Sequence, residues 1–226
     1  MAEIIIVEGE SGAGKSTSLR NMPPEQSLIL AATDKPLPFK GWKAWEDKKR
    51  IKVLADMNDI PGWLDKANTK GIKYVIIEDH THFQNARILG TEFQQAGTSA
   101  NKYARWEKFG RDVYGSIWQK AKELTNIDYI IVMAHVIKDA DGTYSFKTFG
   151  KMVGNTVDPV SYSRIVLHAI VDADQKEMNK RYVFITNADG THEAKSPMGM
   201  LPERMPNDLW NVLELVKAYD QPEQTA

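Results

Sequence analysis

Eight residues near the start of the chain match the phosphate-binding loop pattern G-x-x-x-x-G-K-[ST] at every fixed position. They are Gly9, Glu10, Ser11, Gly12, Ala13, Gly14, Lys15 and Ser16, with Thr17 directly after them. Glycines here let backbone N–H groups approach phosphate oxygens, and a following helix N-terminus favours the same negative charge. The pattern predicts that Lys15 contacts the β- and γ-phosphates of ATP and that the Ser16 hydroxyl binds Mg²⁺.

The residues on both sides of this loop fit the structural context of the pattern. Glu3–Val7 is an apolar run typical of a buried strand, and residues 16–22 can form one short helix before two prolines end it. A strand, a glycine loop and a helix in this order favour a phosphate site over a chance glycine turn.

The second half of a nucleotide site is predicted at the end of an apolar strand, Tyr74–Glu78. Glu78 and Asp79 are adjacent there, and a carboxylate at this place holds Mg²⁺ across from Ser16. Because side chains alternate along a strand, only one of the two acids is expected to face the metal, and the other could orient the attacking water. The alternative is that both are solvated charges at a strand end.

Two further strand ends carry candidate catalytic residues. Asp34 follows the apolar run Ser27–Thr33, where it would either polarise water beside the γ-phosphate or open a turn. His135 follows Tyr129–Ala134, where it would either sense the γ-phosphate or be a satisfied core histidine. His80 and His82, which lack further ligands at zinc-binding spacing, are interpreted as polar loop residues.

The overall composition is that of an ordinary soluble globular protein, with 226 residues, 42% of them hydrophobic and 26% charged. The absence of cysteine excludes disulfides, thiolate metal sites and cysteine nucleophiles. A formal net charge of −1 gives no global attraction to nucleic acid. No apolar run is long enough to span a bilayer and no signal-peptide pattern is present, so we expect no membrane contact and a cytoplasmic protein.

Apolar, β-rich segments alternate with helical patterns, which predicts an α/β fold with a mostly parallel sheet flanked by helices. Ile51–Ala55 is a further predicted strand, and Asp59–Thr69 and Tyr103–Leu124 are predicted helices. Residues 100–122 contain six Lys or Arg and two acids, a balance of +4, interleaved with aromatic residues. This mixture suits single-stranded nucleic acid, and the alternative is a solvated helix face with a buried aromatic stripe.

The last third of the chain predicts an antiparallel hairpin and a closing helix. Arg164–Val171 and Arg181–Thr186 flank a polar stretch and are the two hairpin strands. Asn207–Tyr219 is the predicted helix, with its first residue as the N-cap. We therefore predict one domain over residues 1–219 and a flexible tail over residues 220–226.

The order of these features is similar to the RecA-type ATPase core, and three stretches resemble a family of small phage RecA-like ATPases that includes single-strand annealing recombinases. The stretches are Arg105–Gly110, Lys147–Met152, and Ala194–Met200 followed by Pro206–Leu209. The resemblance implies a RecA-like P-loop NTPase core that hydrolyses ATP with Mg²⁺, binds single-stranded DNA and helps to pair complementary strands.

The same resemblance implies a homo-oligomer, because RecA-like cores bind ATP between subunits and a basic residue of one subunit reaches the phosphates held by the next. Lys195 stands just after the final hairpin, where related cores carry such a residue. Gln84–Lys102 and Val136–Asp158 correspond to the segments that carry DNA in RecA-like proteins. A phage recombination system further implies a single-strand binding protein or an exonuclease as partner, in the host cytoplasm.

Two departures from RecA leave parts of the resemblance open. The chain starts directly on its first core strand, without the element that links subunits in RecA, and its acidic strand end is Glu-Asp rather than Asp-Ser. The competing functions are a P-loop nucleotide or small-molecule kinase and a non-catalytic nucleotide-switch adaptor. The kinase is disfavoured because the connector 136–160 has no arginine to clamp a transferred phosphoryl group.

Overall fold

The computed structural model describes residues 1–96, 103–147, 158–177 and 180–221. The strands within these ranges are β1 Glu3–Gly9, β2 Ser27–Ala31, β3 Ile51–Val53, β4 Tyr74–Glu78, β5 Tyr129–Ala134, β6 Val136–Lys138, β7 Tyr144–Phe146, β8 Ile165–Val171, β9 Tyr182–Ile185 and β10 Arg204–Pro206. The helices are α1 Lys43–Asp47, α2 Ile60–Thr69, α3 His80–Leu89, α4 Thr91–Ala96, α5 Ala104–Gly110, α6 Ser116–Ala121 and α7 Leu209–Tyr219.

Eight of these strands form one sheet in the order β10-β9-β8-β1-β5-β4-β2-β3. The strands from β8 to β3 are parallel, while β9 pairs antiparallel with both β8 and β10. The predicted fold class is therefore confirmed: a mostly parallel sheet flanked by helices, with an antiparallel hairpin at its C-terminal edge.

The central strands are apolar on both faces because helices cover both faces. Ile6 belongs to the core under α2, α3, α5 and α6, and its neighbour Ile5 belongs to the core under α1 and α7. Leu64 and Phe83 fill the first core, and Trp45 fills the second. This two-sided burial fixes the register of β1, and with it the point at which the glycine loop leaves the sheet.

The predicted helix Tyr103–Leu124 forms as α5 and α6 joined by a π-helical turn, Arg111–Gly115. Val113 in this turn and Ile117 in α6 are both buried. A π turn adds a residue to the helical repeat and shifts the faces that follow it, and turns of this kind are frequent at functional sites. The spacing of apolar residues did not reveal this turn.

The closing helix α7 begins at Leu209, two residues after the start of the predicted range, and its N-cap lies one residue later than predicted. Its N-cap is Asp208, whose carboxylate accepts a hydrogen bond from the Trp210 N–H at 3.2 Å. The prediction that Asn207 caps the helix is wrong, because the Asn207 side chain is buried instead. After the helix, Asp220 accepts two hydrogen bonds from Arg164, at 2.9 and 2.6 Å.

The two segments predicted to carry DNA are described in part. The first includes the end of α3 and all of α4, and its residues 97–102 lie outside the described residues. The second includes the β6–β7 hairpin, which forms a separate two-stranded sheet, and its residues 148–157 are likewise outside. Residues 222–226 of the predicted tail are also outside. Within the described part of the chain, every helix is too short or too polar to cross a bilayer.

Candidate nucleotide-binding site

The glycine loop connects the end of β1 to a 3₁₀ helix, Ser16–Asn21, and its glycines take conformations that other residues avoid. Gly9 has a φ of +151° and Gly14 a φ of +92°. A Cβ atom on Gly9 would lie 2.5 Å from the Ala169 carbonyl oxygen, and one on Gly14 would lie 2.7 Å from the Tyr182 ring. The loop is therefore wedged against β8 and β9, and only glycine fits at these two positions.

Lys15 lies folded across this loop. Its Nζ donates hydrogen bonds to the Gly9 carbonyl at 2.7 Å and the Glu10 carbonyl at 2.9 Å. Burial lowers the pKa of Lys15 to about 8, although the charges of Asp79 and Glu78 oppose the shift. A partly desolvated ammonium group held at the centre of a glycine loop is well placed to contact phosphate oxygens.

The two acids at the end of β4 have different surroundings. Glu78 Oε1 accepts a 2.7 Å hydrogen bond from the Ser16 hydroxyl. Asp79 has left the strand in a left-handed conformation, with φ of 60°, and its carboxylate caps α3 by accepting the His82 N–H at 3.0 Å. Of the two predicted metal ligands, Glu78 is thus the one that the structure brings to Ser16.

The residues around Ser16 and Glu78 fit a magnesium ion. A hydroxyl and a carboxylate are hard oxygen donors, which Mg²⁺ prefers, and Mg²⁺ usually keeps water and substrate oxygens as its other ligands. In the described ranges, no group of three or more His, Asp or Glu could form a closed metal cage. Ser16 and Glu78 are therefore the residues that would hold Mg²⁺ together with nucleotide phosphates.

The end of β5 is tied to the start of α3 beside these acids. The His135 backbone N–H donates to the Thr81 hydroxyl at 2.8 Å, and His135 Nε2 lies 3.7 Å from Asp79 Oδ1. Burial raises the pKa of Asp79, but His135 and the His82 N–H more than offset it, so the pKa lies below its usual value. This keeps a charged carboxylate next to His135, at the edge where both were predicted.

The remaining two predicted catalytic residues are not in contact with this group. Asp34 is exposed after β2, and its side chain forms no hydrogen bond or ion pair with any residue that the structure describes. Lys195 donates through Nζ to the Val160 carbonyl at 2.7 Å and pairs with β8 at Val166. That point is three residues before Ala169, which pairs with the glycine loop, or roughly 10 Å along the strand.

A buried acid directly behind the loop was not singled out from the sequence. Glu8 is fully buried, and its Oε1 lies 2.8 Å from His168 Nδ1. Burial, and secondly the charge of Glu193, raises the pKa of Glu8 to about 9. Burial and the neighbouring His192 lower the pKa of His168 to about 4. The pair is thus uncharged near neutral pH. The sequence feature that could have identified Glu8 is an acid inside an otherwise apolar strand.

The prediction that His80 is a polar loop residue is wrong. His80 begins α3 and is fully buried, and burial lowers its pKa to about 4. Its Nδ1 lies 3.2 Å from the Gln84 amide nitrogen, and Gln84 in turn accepts a hydrogen bond from the Tyr114 hydroxyl at 3.3 Å. A chain of buried polar groups therefore runs from the acidic strand end to the π-helical turn.

The C-terminal stretch Pro206–Leu209, which carried the family resemblance, supports the helix after the glycine loop. Arg20 of that helix donates to the Asn207 carbonyl and lies 3.7 Å from the Asp208 carboxylate. The Asn207 side chain is buried beside Gly14, and its amide has no hydrogen-bond partner among the described residues. Through these contacts, Asn207 and Asp208 pack against the glycine loop and the helix that follows it, although they are far away in sequence.

A large apolar groove of about 1010 Å³ lies elsewhere, between α5, the π-helical turn, α6 and the start of β1. Trp106, Tyr114 and Trp118 are among its walls, and the glycine loop and the acids Glu78 and Asp79 are not. Convergent polar groups, rather than cavity size, mark a phosphate site. The nucleotide site is therefore assigned to the glycine loop.

The sheet places β5 between the loop strand β1 and the acidic strand β4, so that all three end at the same edge. The fold is a mostly parallel α/β fold with a glycine loop after its first strand. No protein-family model matches the chain, and no curated protein sequence matches it.

Two solved structures resemble the chain at low identity. One is a DnaB-like replicative helicase, with a TM-score of 0.49, 12% identity, and coverage of 87% of this chain and 54% of the helicase. The other is an ATPase from the type III secretion system of pathogenic bacteria, with a TM-score of 0.43, 11% identity, and coverage of 74% and 52%. This chain spans about half the length of each protein. We rest the functional assignment on the glycine loop, Ser16 and Glu78.

Proposed function

We propose that this protein is a Mg²⁺-dependent ATPase that binds single-stranded DNA and promotes strand annealing or homologous recombination in the cytoplasm of a phage-infected cell. The observation that carries the nucleotide part is the 2.7 Å hydrogen bond between the Ser16 hydroxyl and Glu78, beside the ammonium group of Lys15. These are the groups that a triphosphate and its metal ion require, and they converge at one edge of the sheet.

Each residue of the site has a role in this proposal. The amides of the loop and Lys15 bind the β- and γ-phosphates, and Ser16 and Glu78 hold Mg²⁺. Bound Mg²⁺ neutralises negative charge on the phosphate oxygens. Asp79, or Asp34 when nucleotide draws it inward, orients the attacking water, and His135 contacts the γ-phosphate and reports its loss to the β6–β7 hairpin.

The DNA and assembly parts of the proposal are supported by the three stretches that resemble phage annealing ATPases. The protein acts as a homo-oligomer, in which Lys195 of one subunit reaches the phosphates bound by the next. The Nζ of Lys195, which donates to the Val160 carbonyl in the isolated chain, would have to release that oxygen to do so. A phage single-strand binding protein or exonuclease is the expected protein partner.

The test is ATP turnover with and without single-stranded DNA, at two salt concentrations. We expect DNA to stimulate turnover and salt to weaken the stimulation, because phosphate contacts release counterions. Turnover that requires a small-molecule acceptor would indicate a kinase, and nucleotide binding without any turnover would indicate a switch adaptor. Lys15→Ala is the control: it should abolish ATP binding and leave the circular dichroism spectrum unchanged, since Lys15 is outside the core.

A further inference from the structure

The basic helical region predicted to suit nucleic acid is largely neutralised within the fold. Arg111 pairs with Glu107 at 2.7 Å, and Lys108 pairs with Asp112 at the same distance. Lys120 lies 2.8 Å from both Asp65 and Glu123, and Arg105 stacks on Phe93 at 4.8 Å. Cations held in pairs have less charge to offer to an outside phosphate.

Unpaired positive charge is concentrated instead on the connection between β2 and β3. Lys35, Lys40, Lys43 and Lys49 are all exposed there. Across the described part of the chain, no side chain of these four lysines forms a hydrogen bond, ion pair or ring contact. We call these four residues the lysine surface.

The local charge around the lysine surface is positive in a chain whose net charge is −1. Residues 35–45 contain three lysines and no acid, a balance of +3. Residues 46–50 add two acids and three basic residues, a balance of +1, so the whole stretch carries +4. A local excess of this size attracts a polyanion even though the chain as a whole does not.

Apolar residues anchor the connection that carries the lysine surface to the core. Leu37 and Trp45 are buried in the core under α1 and α7, and Phe39 and Trp42 pack partly buried against the same core. Since Leu37 and Trp45 anchor the backbone on either side of Lys40 and Lys43, binding needs little ordering of the backbone between them. The partly exposed rings of Phe39 and Trp42 lie next to Lys40 and Lys43 in sequence, so both kinds of group are available at one place.

We propose that the lysine surface binds the phosphate backbone of single-stranded DNA, with Phe39 and Trp42 as stacking positions for bases. The inference rests on the proposed function, and it assigns the DNA to a surface outside the segments suggested by the resemblance to RecA-like proteins. Ammonium groups without partners contact phosphates without regard to base sequence, and aromatic rings stack on any base. A single strand offers both phosphates and unpaired bases, whereas a duplex offers only its phosphates to such a surface.

The surface begins one residue after Asp34, at the edge of the sheet where the nucleotide site lies. DNA bound there would contact the connection that carries a candidate catalytic acid. The inference therefore also gives a direct route by which DNA could stimulate turnover.

The test is fluorescence anisotropy with a labelled 30-nucleotide oligo(dT) strand, titrated at several salt concentrations. The test variant is the triple substitution Lys35→Gln, Lys40→Gln and Lys43→Gln. Each lost phosphate contact reduces the slope of log affinity against log salt by about 0.7 for a single strand, so the triple variant should lose about 2 from the slope. At 0.1 M salt, its affinity should fall by about 10- to 100-fold.

A second variant removes charge without risk to the fold. Lys49 has a φ of 56° just after α1, a left-handed conformation that favours glycine. Lys49→Gly should therefore keep or raise the melting temperature while lowering the salt slope by about 0.7. The matched control is Lys70→Gln, Lys122→Gln and Lys176→Gln, which removes three exposed lysines whose side chains also have no partner among the described residues.

The outcomes separate this inference from the proposed function. Loss of affinity in the test variants, with the control within twofold of wild type, supports the lysine surface. Wild-type affinity in the triple variant, or equal losses in the triple variant and the control, overturns it and leaves the DNA role standing. If wild type itself does not bind the strand at 50 mM salt, the DNA part of the proposed function fails as well. ATP turnover without DNA should be equal in the triple variant and wild type.

Discussion

The Ser16 hydroxyl and the Glu78 carboxylate, 62 residues apart in sequence, are joined by a 2.7 Å hydrogen bond. Ser16 follows the glycine loop after β1, and Glu78 ends β4, with β5 between the two strands. The two oxygens that suit a magnesium ion are therefore brought together by the order of strands in the sheet alone. The two side chains proposed to hold Mg²⁺ are thus already adjacent in the fold, and such pre-organisation would lower the cost of binding the ion and a nucleotide.

This relationship predicts that the two acids at the end of β4 are not equivalent. Glu78→Gln keeps the size of the side chain and its hydrogen bond to Ser16 but removes the charge that holds Mg²⁺. We expect it to weaken Mg²⁺-dependent ATP binding by about tenfold or more, as loss of one charge-assisted contact does. The measurement is calorimetric titration of ATP at several Mg²⁺ concentrations.

Asp79→Asn is the matched control for that substitution. Asn can still cap α3, so the fold should persist, and the Mg²⁺ dependence of ATP binding should stay close to that of wild type. Turnover should nevertheless fall if Asp79 orients water. A larger loss of Mg²⁺-dependent binding in Asp79→Asn than in Glu78→Gln would reverse the assignment of the metal ligand.

Two glycines of the loop allow a second comparison. Gly12 and Gly14 both have positive φ, but a Cβ atom on Gly12 would meet no atom within 4 Å, while one on Gly14 would lie 2.7 Å from the Tyr182 ring. Gly12→Ala should cost about 1 kcal/mol of stability from backbone strain alone. Gly14→Ala should cost about 2–4 kcal/mol, because overpacking adds to the strain. Urea unfolding of both variants measures the difference.

Removing the obstructing ring provides the control. In a Tyr182→Ala background, the cost of Gly14→Ala should approach that of Gly12→Ala. If the two substitutions cost the same in the wild-type background, the contact between the loop and β9 does not constrain Gly14.

Much of the site could be predicted because its residues are contiguous in the sequence. The glycine loop and its flanking strand are local patterns, and the position of Lys15 follows from them directly. The choice between Glu78 and Asp79 could not be made, because Asp79 leaves the strand in a left-handed conformation where the alternation of side chains no longer holds.

Other features depend on contacts between distant residues, which a pattern along the chain does not contain. The buried contact between Glu8 and His168 joins residues that are 160 positions apart. The pairing of Lys108 with Asp112 has the four-residue spacing of a helical ion pair and was open to prediction from the sequence. The pairing of Lys120 with Asp65 joins two separate helices and was not.

The buried pair behind the loop predicts a pH dependence of stability. Because the folded protein raises the pKa of Glu8 from 4.5 to about 9, its contribution to stability is full below pH 4.5 and is lost as pH rises toward 9. Glu8→Gln cannot ionise and should avoid this loss. Its stability relative to wild type should therefore increase by about 1–3 kcal/mol between pH 6.5 and 8.5.

Urea unfolding at pH 6.5, 7.5 and 8.5 checks this prediction. His168 acts in the opposite direction: with a pKa lowered to about 4, its contribution is present above pH 6.5 and is lost as pH falls, so it does not oppose the change at Glu8 in this range. Lys15, with a pKa of about 8, titrates in both proteins, and the comparison of Glu8→Gln with wild type at each pH removes its contribution. A difference between variant and wild type that does not change over this range would mean that Glu8 is already ionised in the folded protein.

The proposed role of Lys195 predicts complementation between subunits. Lys195→Ala should slow ATP hydrolysis by 10-fold or more, about 1.4 kcal/mol of barrier, and leave ATP affinity unchanged, because Lys195 lies away from the glycine loop of its own chain. Lys15→Ala should be inactive because it does not bind ATP. In a mixture, an intact loop on a Lys195→Ala subunit can face an intact Lys195 on a Lys15→Ala subunit, so turnover should exceed the sum of the two separate variants.

The control mixes Lys15→Ala with a Lys15→Ala, Lys195→Ala double variant, which should remain inactive at every ratio. If the first mixture also gives no more than the sum of its parts, while sedimentation shows that the subunits associate, then Lys195 does not act on a neighbouring nucleotide.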